Sequence, residues 1–325
     1  MASASIPVVD FAPFLRGTKD QPKEIAKIID DAFQNTGFVC LVNHGVDAEK
    51  VKDAFKWSKR FFDLSSSIKA LAPHPPGGPH HRGYSKPGLE KVSQDVFDRG
   101  SIQTLRNIPD VKESFESGNV DDGDQPNIWL PNECLPSFRD FMEGFFLDLR
   151  YVVHMILQAL AISLDLPEDH LSTRHSQSLF QLRLLHYPPI PRKALEEGLA
   201  SRINTHSDFG TLTLLFQDAV GGLEIQDPAT KGRGQSEAKF FAVEPIQGGV
   251  LVNVGDLLER WSNRRWKSTV HRVVAPAEKV GDGTACPEQY SIPFFATADN
   301  DADRPKRYES VTGKRYVQMR MAALY

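Results

Sequence analysis

Apolar residues recur at helical spacing through the first half of the chain and alternate through the second. Ile6–Phe11 reads as a short strand. Pro22 then opens a helix in the turn that tolerates proline best. Ile25, Ile29, Ala32 and Phe33 share one helical face, and Gly37 has the place of a C-terminal cap. Phe38–Asn43 is a compact apolar strand, and Asp47 caps a second helix running to about Phe62. Residues 73–88 and 121–131 are rich in Pro, Gly and polar groups and read as loops. Between Ser137 and Leu164, the residues Phe138, Phe141, Phe145, Leu149, Val153, Ile156 and Leu160 form one stripe of a long helix that Pro167 ends.

After residue 178 the period changes. Short β-rich runs occupy 179–187, 211–217, 222–227, 239–243, 249–254, 268–275 and 290–296, separated by Pro188-Pro189, Gly221-Gly222, Gly248-Gly249 and a loop at 279–287. Many short strands with regular turns predict an antiparallel sandwich or barrel. There is no internal repeat and no Ser/Gly linker, so the 325 residues read as one interdependent unit with helices flanking a β core.

Composition changes this picture little. A hydrophobic content of 40%, a charged content of 25% and a net charge of −4 are ordinary for a soluble globular protein and point to neither nucleic acid nor an anionic membrane. Cys40, Cys134 and Cys286 are widely spaced and lack a Cys-X-X-Cys arrangement, as in a reduced, cytoplasmic protein. The first residues show no secretory signal, and no run approaches the roughly 18 apolar residues of a bilayer span.

The chemistry concentrates at His206-Ser207-Asp208 and at His271, 63 residues beyond Asp208. In extended backbone His206 and Asp208 point the same way. Two imidazoles and a carboxylate on one face suit a ferrous ion, filling three octahedral positions and leaving three open; zinc accepts the same ligand types. Arg183, Leu185 and Tyr187 share a strand face, which offers a guanidinium to a bound carboxylate. Arg82 and Tyr84 fall in a loop that could line a substrate mouth. His80 and His81 in that loop read as solvated, His44 and His186 as structural, Trp261 and Trp266 as core. Asn253 and Asp256 read as hydrogen-bonding architecture near the metal.

Several ordered motifs surround these residues: Ile6-Pro-Val-Val-Asp-Phe11, Gly37-Phe-Val-Cys-Leu-Val-Asn-His-Gly45, Arg82-Gly-Tyr84, Leu182-Arg-Leu-Leu-His-Tyr-Pro-Pro189, Thr205-His-Ser-Asp-Phe-Gly-Thr-Leu-Thr213, Leu251-Val-Asn-Val-Gly-Asp256 and His271-Arg-Val273. Together they resemble the isopenicillin N synthase-like family of Fe(II)/2-oxoglutarate-dependent dioxygenases, nearly end to end. The resemblance implies an α+β fold with a double-stranded β-helix (jelly roll) core at 178–300 and a mostly helical N-terminal region at 1–150, while the helical spacing of Val317, Met321 and Leu324 predicts a C-terminal helix at 301–325. The resemblance also implies iron(II) held by His206, Asp208 and His271, with 2-oxoglutarate and O2 as cosubstrates. The reaction implied is oxidation of a small, secondary-metabolite type substrate by hydroxylation, desaturation or ring rearrangement, in a monomer or homodimer. Tyr187, Ser291 and position 289 match cosubstrate positions; Arg183, Arg82 and Tyr84 are candidates for substrate. The chain departs from the family at Gln289-Tyr-Ser291, where the family has Arg-X-Ser. A neutral amide in place of a guanidinium predicts weak 2-oxoglutarate binding unless Arg183 or Lys267 compensates. It also leaves open an oxidase that dispenses with 2-oxoglutarate, or a binding module without catalysis.

Overall fold

The computed structural model of the chain describes residues 6–18, 20–76, 80–89, 110–230, 238–276 and 284–299. The expected C-terminal helix and most of the loop at 279–287 lie outside the described residues. In the N-terminal part the strands are β1 (Val8–Asp10), β2 (Phe38–Val42), β3 (Gly83–Ser85) and β4 (Glu113–Gly118). Then follow β5 (Gln181–Tyr187), β6 (Ile190–Pro191), β7 (Ile203–His206), β8 (Leu212–Gln217) and β9 (Leu223–Gln226). The last are β10 (Phe240–Ala242), β11 (Gly249–Val254), β12 (His271–Val273), β13 (Ala285–Cys286) and β14 (Gln289–Ala296).

A large sheet runs β1-β2-β11-β8-β14-β5-β4-β3 and a smaller one β10-β9-β12-β7; β13 and β6 pair separately. Between these strands pairing is antiparallel except for β1 with β2. Alternation decides which side chains face where. Leu182 and Leu184 of β5, Leu212, Leu214 and Phe216 of β8, and Ile292 and Phe294 of β14 enter the main core. Their neighbours Arg183, Leu185, Tyr187, Thr213, Leu215, Gln217, Gln289 and Ser291 line a cavity on the opposite face. The small sheet closes that cavity with Ile203, His206, Leu223 and His271. Two opposed sheets around an internal site make the jelly roll expected from the motifs.

The helices support the other face. Pro22 lies in the first turn of the Gln21–Asn35 helix, and Gly37 beyond its end has φ +76°, a value that favours glycine. Asp47 caps the Ala48–Phe62 helix, accepting from the amides of Glu49 and Lys50. The Phe138–Ser163 helix buries Phe138, Phe145, Leu149, Val153, Ile156 and Leu160, while Phe141 stays partly exposed. Contrary to the reading of the sequence, this helix is long and apolar enough by composition to cross a membrane. Its packing against the sheet accounts for that apolarity.

Two strands depart from the pattern-based reading. β3 lies within the predicted loop at 73–88, and β4, Glu-Ser-Phe-Glu-Ser-Gly, is buried at all six positions despite its polarity. Glu113 of β4 accepts from Lys69 Nζ (2.8 Å), Tyr84 Oη (2.5 Å) and His186 Nδ1 (2.7 Å), so its charge is matched inside the protein.

Candidate metal centre and cosubstrate cavity

His206 ends β7 and His271 begins β12, and the two are direct partners across that antiparallel pair. Asp208 follows two residues after His206. Its Oδ1 lies 3.9 Å from His206 Nε2 and 3.8 Å from His271 Nε2, and the two imidazole centroids are 4.3 Å apart. The loop carrying Asp208 is anchored by its own carbonyl, which accepts from the amide of Asp256 at 2.7 Å.

Each ligand candidate is oriented by a second partner. His206 Nδ1 lies 2.8 Å from the carbonyl of Asn204, and His271 Nδ1 lies 3.1 Å from that of Thr269. A carbonyl only accepts, so each Nδ1 carries the proton and each Nε2 presents a lone pair to the site. Asp208 Oδ2 accepts from Thr213 Oγ1 (2.6 Å) and Asn253 Nδ2 (2.8 Å), which leaves Oδ1 turned to the histidines. Burial lowers the His206 pKa to about 3, helped by the neighbouring His271. Burial pushes the Asp208 carboxyl up, but the imidazoles and the two hydrogen bonds outweigh it and hold the group below its usual range. Three neutral-or-anionic donors converging in a buried place form a cation site.

A second convergence, His74, His81 and Glu116, also brings ligand atoms within 4.8 Å of one another. Here a cation is already present. Arg183 Nε lies 2.9 Å from Glu116 Oε1, and its Nη2 lies 3.3 Å from His81 Nδ1. The guanidinium occupies the electrostatic role a metal would take.

The remaining expected site residues divide. Arg183 and Tyr187 do line the cavity, at positions about 13 Å apart along β5 at strand rise, with Gln289 and Ser291 on β14 alongside. Arg82 also lines it, but its guanidinium donates to Asp122 Oδ2 (3.1 Å), the Gln125 carbonyl (3.1 Å) and the His81 carbonyl (2.8 Å). Tyr84 is corrected: it is not at the cavity wall, and its hydroxyl is spent on Glu113. His81 is likewise corrected, being 1% exposed and part of the wall rather than solvated. Lys267 does not compensate for Gln289, since its Nζ donates to the carbonyl of Asn35 outside the cavity. Nor does Arg183, which is engaged by Glu116 instead.

The cation next to Gln289 is one the motifs did not point to. Arg202 Nη1 donates to Gln289 Oε1, and Nη2 donates to the Pro287 carbonyl at 2.7 Å. Its sequence signal was modest: an arginine two strand alternations before His206.

Comparison with known proteins agrees with the site. Residues 6–134 match the family described as non-haem dioxygenase in morphine synthesis, N-terminal, and residues 176–298 match the 2OG-Fe(II) oxygenase superfamily. The chain belongs to that superfamily, and it is an iron(II)- and 2-oxoglutarate-dependent dioxygenase. Among similar proteins, the 2-oxoglutarate-dependent dioxygenase frbA of Dothideomycetidae sp. (strain 11243) is 40% identical over 91% of this chain and 87% of its own length. The proline hydroxylase buaE of Petromyces alliaceus is 35% identical over 98% of each chain. The crystal structure of a full-length Neurospora crassa protein in complex with alpha-KG and thymine superposes with a TM-score of 0.86 at 32% identity, covering 100% of this chain and 99% of that one. Membership removes the support for an oxidase independent of 2-oxoglutarate and for a binding module without catalysis.

Proposed function

We propose that this dioxygenase oxidises a small polar organic molecule, most simply by hydroxylation, with iron(II) held by His206, Asp208 and His271. The observation that carries this reading is the convergence of two Nε2 lone pairs and Asp208 Oδ1 on one point of a cavity with two chemically different ends. The donor set fits the ion: the buried carboxylate is oriented by Thr213 and Asn253, and both histidines are in the tautomer a metal requires. Iron(II) bound there supplies O2 activation coupled to conversion of 2-oxoglutarate to succinate and CO2.

The protein's own groups do the positioning. Tyr187 and Ser291 face the end suited to the cosubstrate. Arg183 and His81, close to the buried Glu116, form the end suited to substrate. Arg82 and Arg183 are balanced there by Asp122 and Glu116, so this end is polar without a large net charge. That favours a substrate offering hydrogen-bonding groups, such as an amide or a zwitterion, over a strongly charged one. The relatives that hydroxylate proline or bind thymine have ligands of that kind. Phe295 and Leu185 supply apolar contact beside them. The three cysteines are free, in keeping with a reducing compartment.

The test supplies iron(II), 2-oxoglutarate and O2 with a panel of small amides and amino acids, and measures product, succinate and O2 consumption together. Equal amounts of product and succinate are expected, with turnover abolished in His206→Ala and Asp208→Ala. Product without succinate, or full turnover in either variant, contradicts the reading.

A further inference from the structure

Arg202 is fully buried, and its surroundings do not balance its charge. Its two hydrogen-bond acceptors, Gln289 Oε1 and the Pro287 carbonyl, are neutral. Its Nε is buried without a hydrogen-bond partner, and among the described residues no carboxylate forms an ion pair with it. The guanidinium carbon sits 5.5 Å from the centroid of the Tyr187 ring. Cys286, Tyr187 and Asp218 are the acidic groups acting on it, and Asp218, the one carboxylate among them, accepts from the amides of Val220 (3.0 Å) and Tyr290 (2.5 Å) instead. An uncompensated guanidinium in the interior is costly unless an anion reaches it.

Arg202 is not itself in the cavity wall but lies against two residues that are, Gln289 and Tyr187. Gln289 pairs with Tyr187 across β14 and β5, and Ser291 pairs with Gln217 across β14 and β8. All four side chains line the cavity at the same end. The Gln289 amide is used on both sides: Oε1 accepts from Arg202, and Nε2 donates to the Gly221 carbonyl at 2.6 Å. Fixed in this way, Gln289 holds the guanidinium beside Tyr187. We propose that Arg202, positioned by Gln289, supplies the cation that binds the carboxylate of 2-oxoglutarate remote from the metal, together with the hydroxyls of Tyr187 and Ser291.

The inference rests on the reading that the enzyme uses 2-oxoglutarate, and it replaces the expectation of weak binding drawn from Gln289. The charge missing from position 289 comes from the residue leading into β7, the strand of the opposing sheet that carries His206. A bidentate or charge-assisted contact is retained, and the neutral residue at 289 becomes its support.

Calorimetric titration of 2-oxoglutarate into the full-length, Mn(II)-loaded protein without O2 tests this separately from turnover. Arg202→Gln is expected to raise the 2-oxoglutarate Kd roughly 10- to 100-fold, the range of one charged hydrogen-bonded contact. Mn(II) affinity should stay within about two-fold, because the metal ligands are untouched. The double variant Arg202→Gln with Gln289→Arg should recover most of the binding by returning a guanidinium to the same end. A merely structural Arg202 would instead lower thermal stability and leave that exchange without effect. Wild-type protein provides a measurement independent of any variant: 2-oxopentanoate, which lacks the remote carboxylate, should bind at least ten-fold more weakly than 2-oxoglutarate. Equal binding of the two acids, or Arg202→Gln binding 2-oxoglutarate as wild type does, overturns the assignment. Absence of 2-oxoglutarate binding in the wild type would instead overturn the underlying reading of the cosubstrate.

Discussion

Asp208 can serve a metal only if its second oxygen is held away, and two side chains from different strands do this. Thr213 of β8 and Asn253 of β11 donate to Oδ2 at 2.6 and 2.8 Å, leaving Oδ1 facing the histidines at 3.9 and 3.8 Å. Thr213→Val and Asn253→Leu each remove one donor to a charged acceptor while keeping roughly the same volume. Such a bond contributes about 1.5–3 kcal/mol. It is present with and without metal, so only part of that loss falls on metal affinity. A ten-fold rise in Kd, about 1.4 kcal/mol, is expected for either variant. The double variant should lose more than the two single losses combined, since one remaining donor still fixes the oxygen but none leaves the carboxylate free to rotate. Anaerobic titration with Fe(II), alongside the thermal midpoint of the metal-free protein, separates affinity from folding. If the folded double variant binds Fe(II) within two-fold of wild type, the orienting role is wrong.

Other parts of the molecule lead to equally direct measurements. His175 is fully buried, with Nδ1 2.8 Å from the Leu171 carbonyl and Nε2 3.0 Å from Thr211 Oγ1, and burial lowers its pKa from 6.5 to about 4. The unfolded chain therefore takes up this proton first as pH falls; stability from His175 is complete above pH 6.5 and declines toward pH 4 by up to about 3 kcal/mol. Urea midpoints measured at pH 7 and pH 5 should diverge less in His175→Gln than in wild type; an unchanged difference would exclude this source. Glu113→Ala strands the 5%-exposed Lys69 and should cost about 3–5 kcal/mol in denaturant unfolding, whereas a loss under 1 kcal/mol would show that the Lys69–Glu113–His186 network is not balanced as drawn. Metal at 100 times its Kd should stabilise the protein by about 2.7 kcal/mol, and Arg183→Leu should raise the substrate KM roughly 10- to 100-fold. A thermal midpoint indifferent to chelation, or an unaltered KM, would remove the respective assignment.

Local patterning carried a large share of this protein. Alternation in β5, β8, β11 and β14 separates core from cavity residue by residue, because a strand assigns successive side chains to opposite faces wherever it is placed. The Phe138–Ser163 helix and the caps at Gly37 and Asp47 were likewise legible, since each depends on neighbours within a few residues. His206 and Asp208 were visible for the same reason, and ordered motifs supplied His271. Whatever depended on distant partners was not. β4 is too polar for any hydrophobic period, and it is buried only because Lys69, His186 and Arg183 arrive from elsewhere to match Glu113 and Glu116. Asn253 was read as hydrogen-bonding architecture near the metal and does hold Asp208, but the burial of His81 and the diversion of Tyr84 to Glu113 are settled only by distant partners. Position 289 shows the difference most clearly. Read alone, Gln289 is a lost charge; in the fold it holds Arg202, 87 residues earlier, because β7 and β14 from opposing sheets start beside one another. The periodicity of a segment sets which way its side chains point, whereas the partner each one meets is decided only when the sheets close.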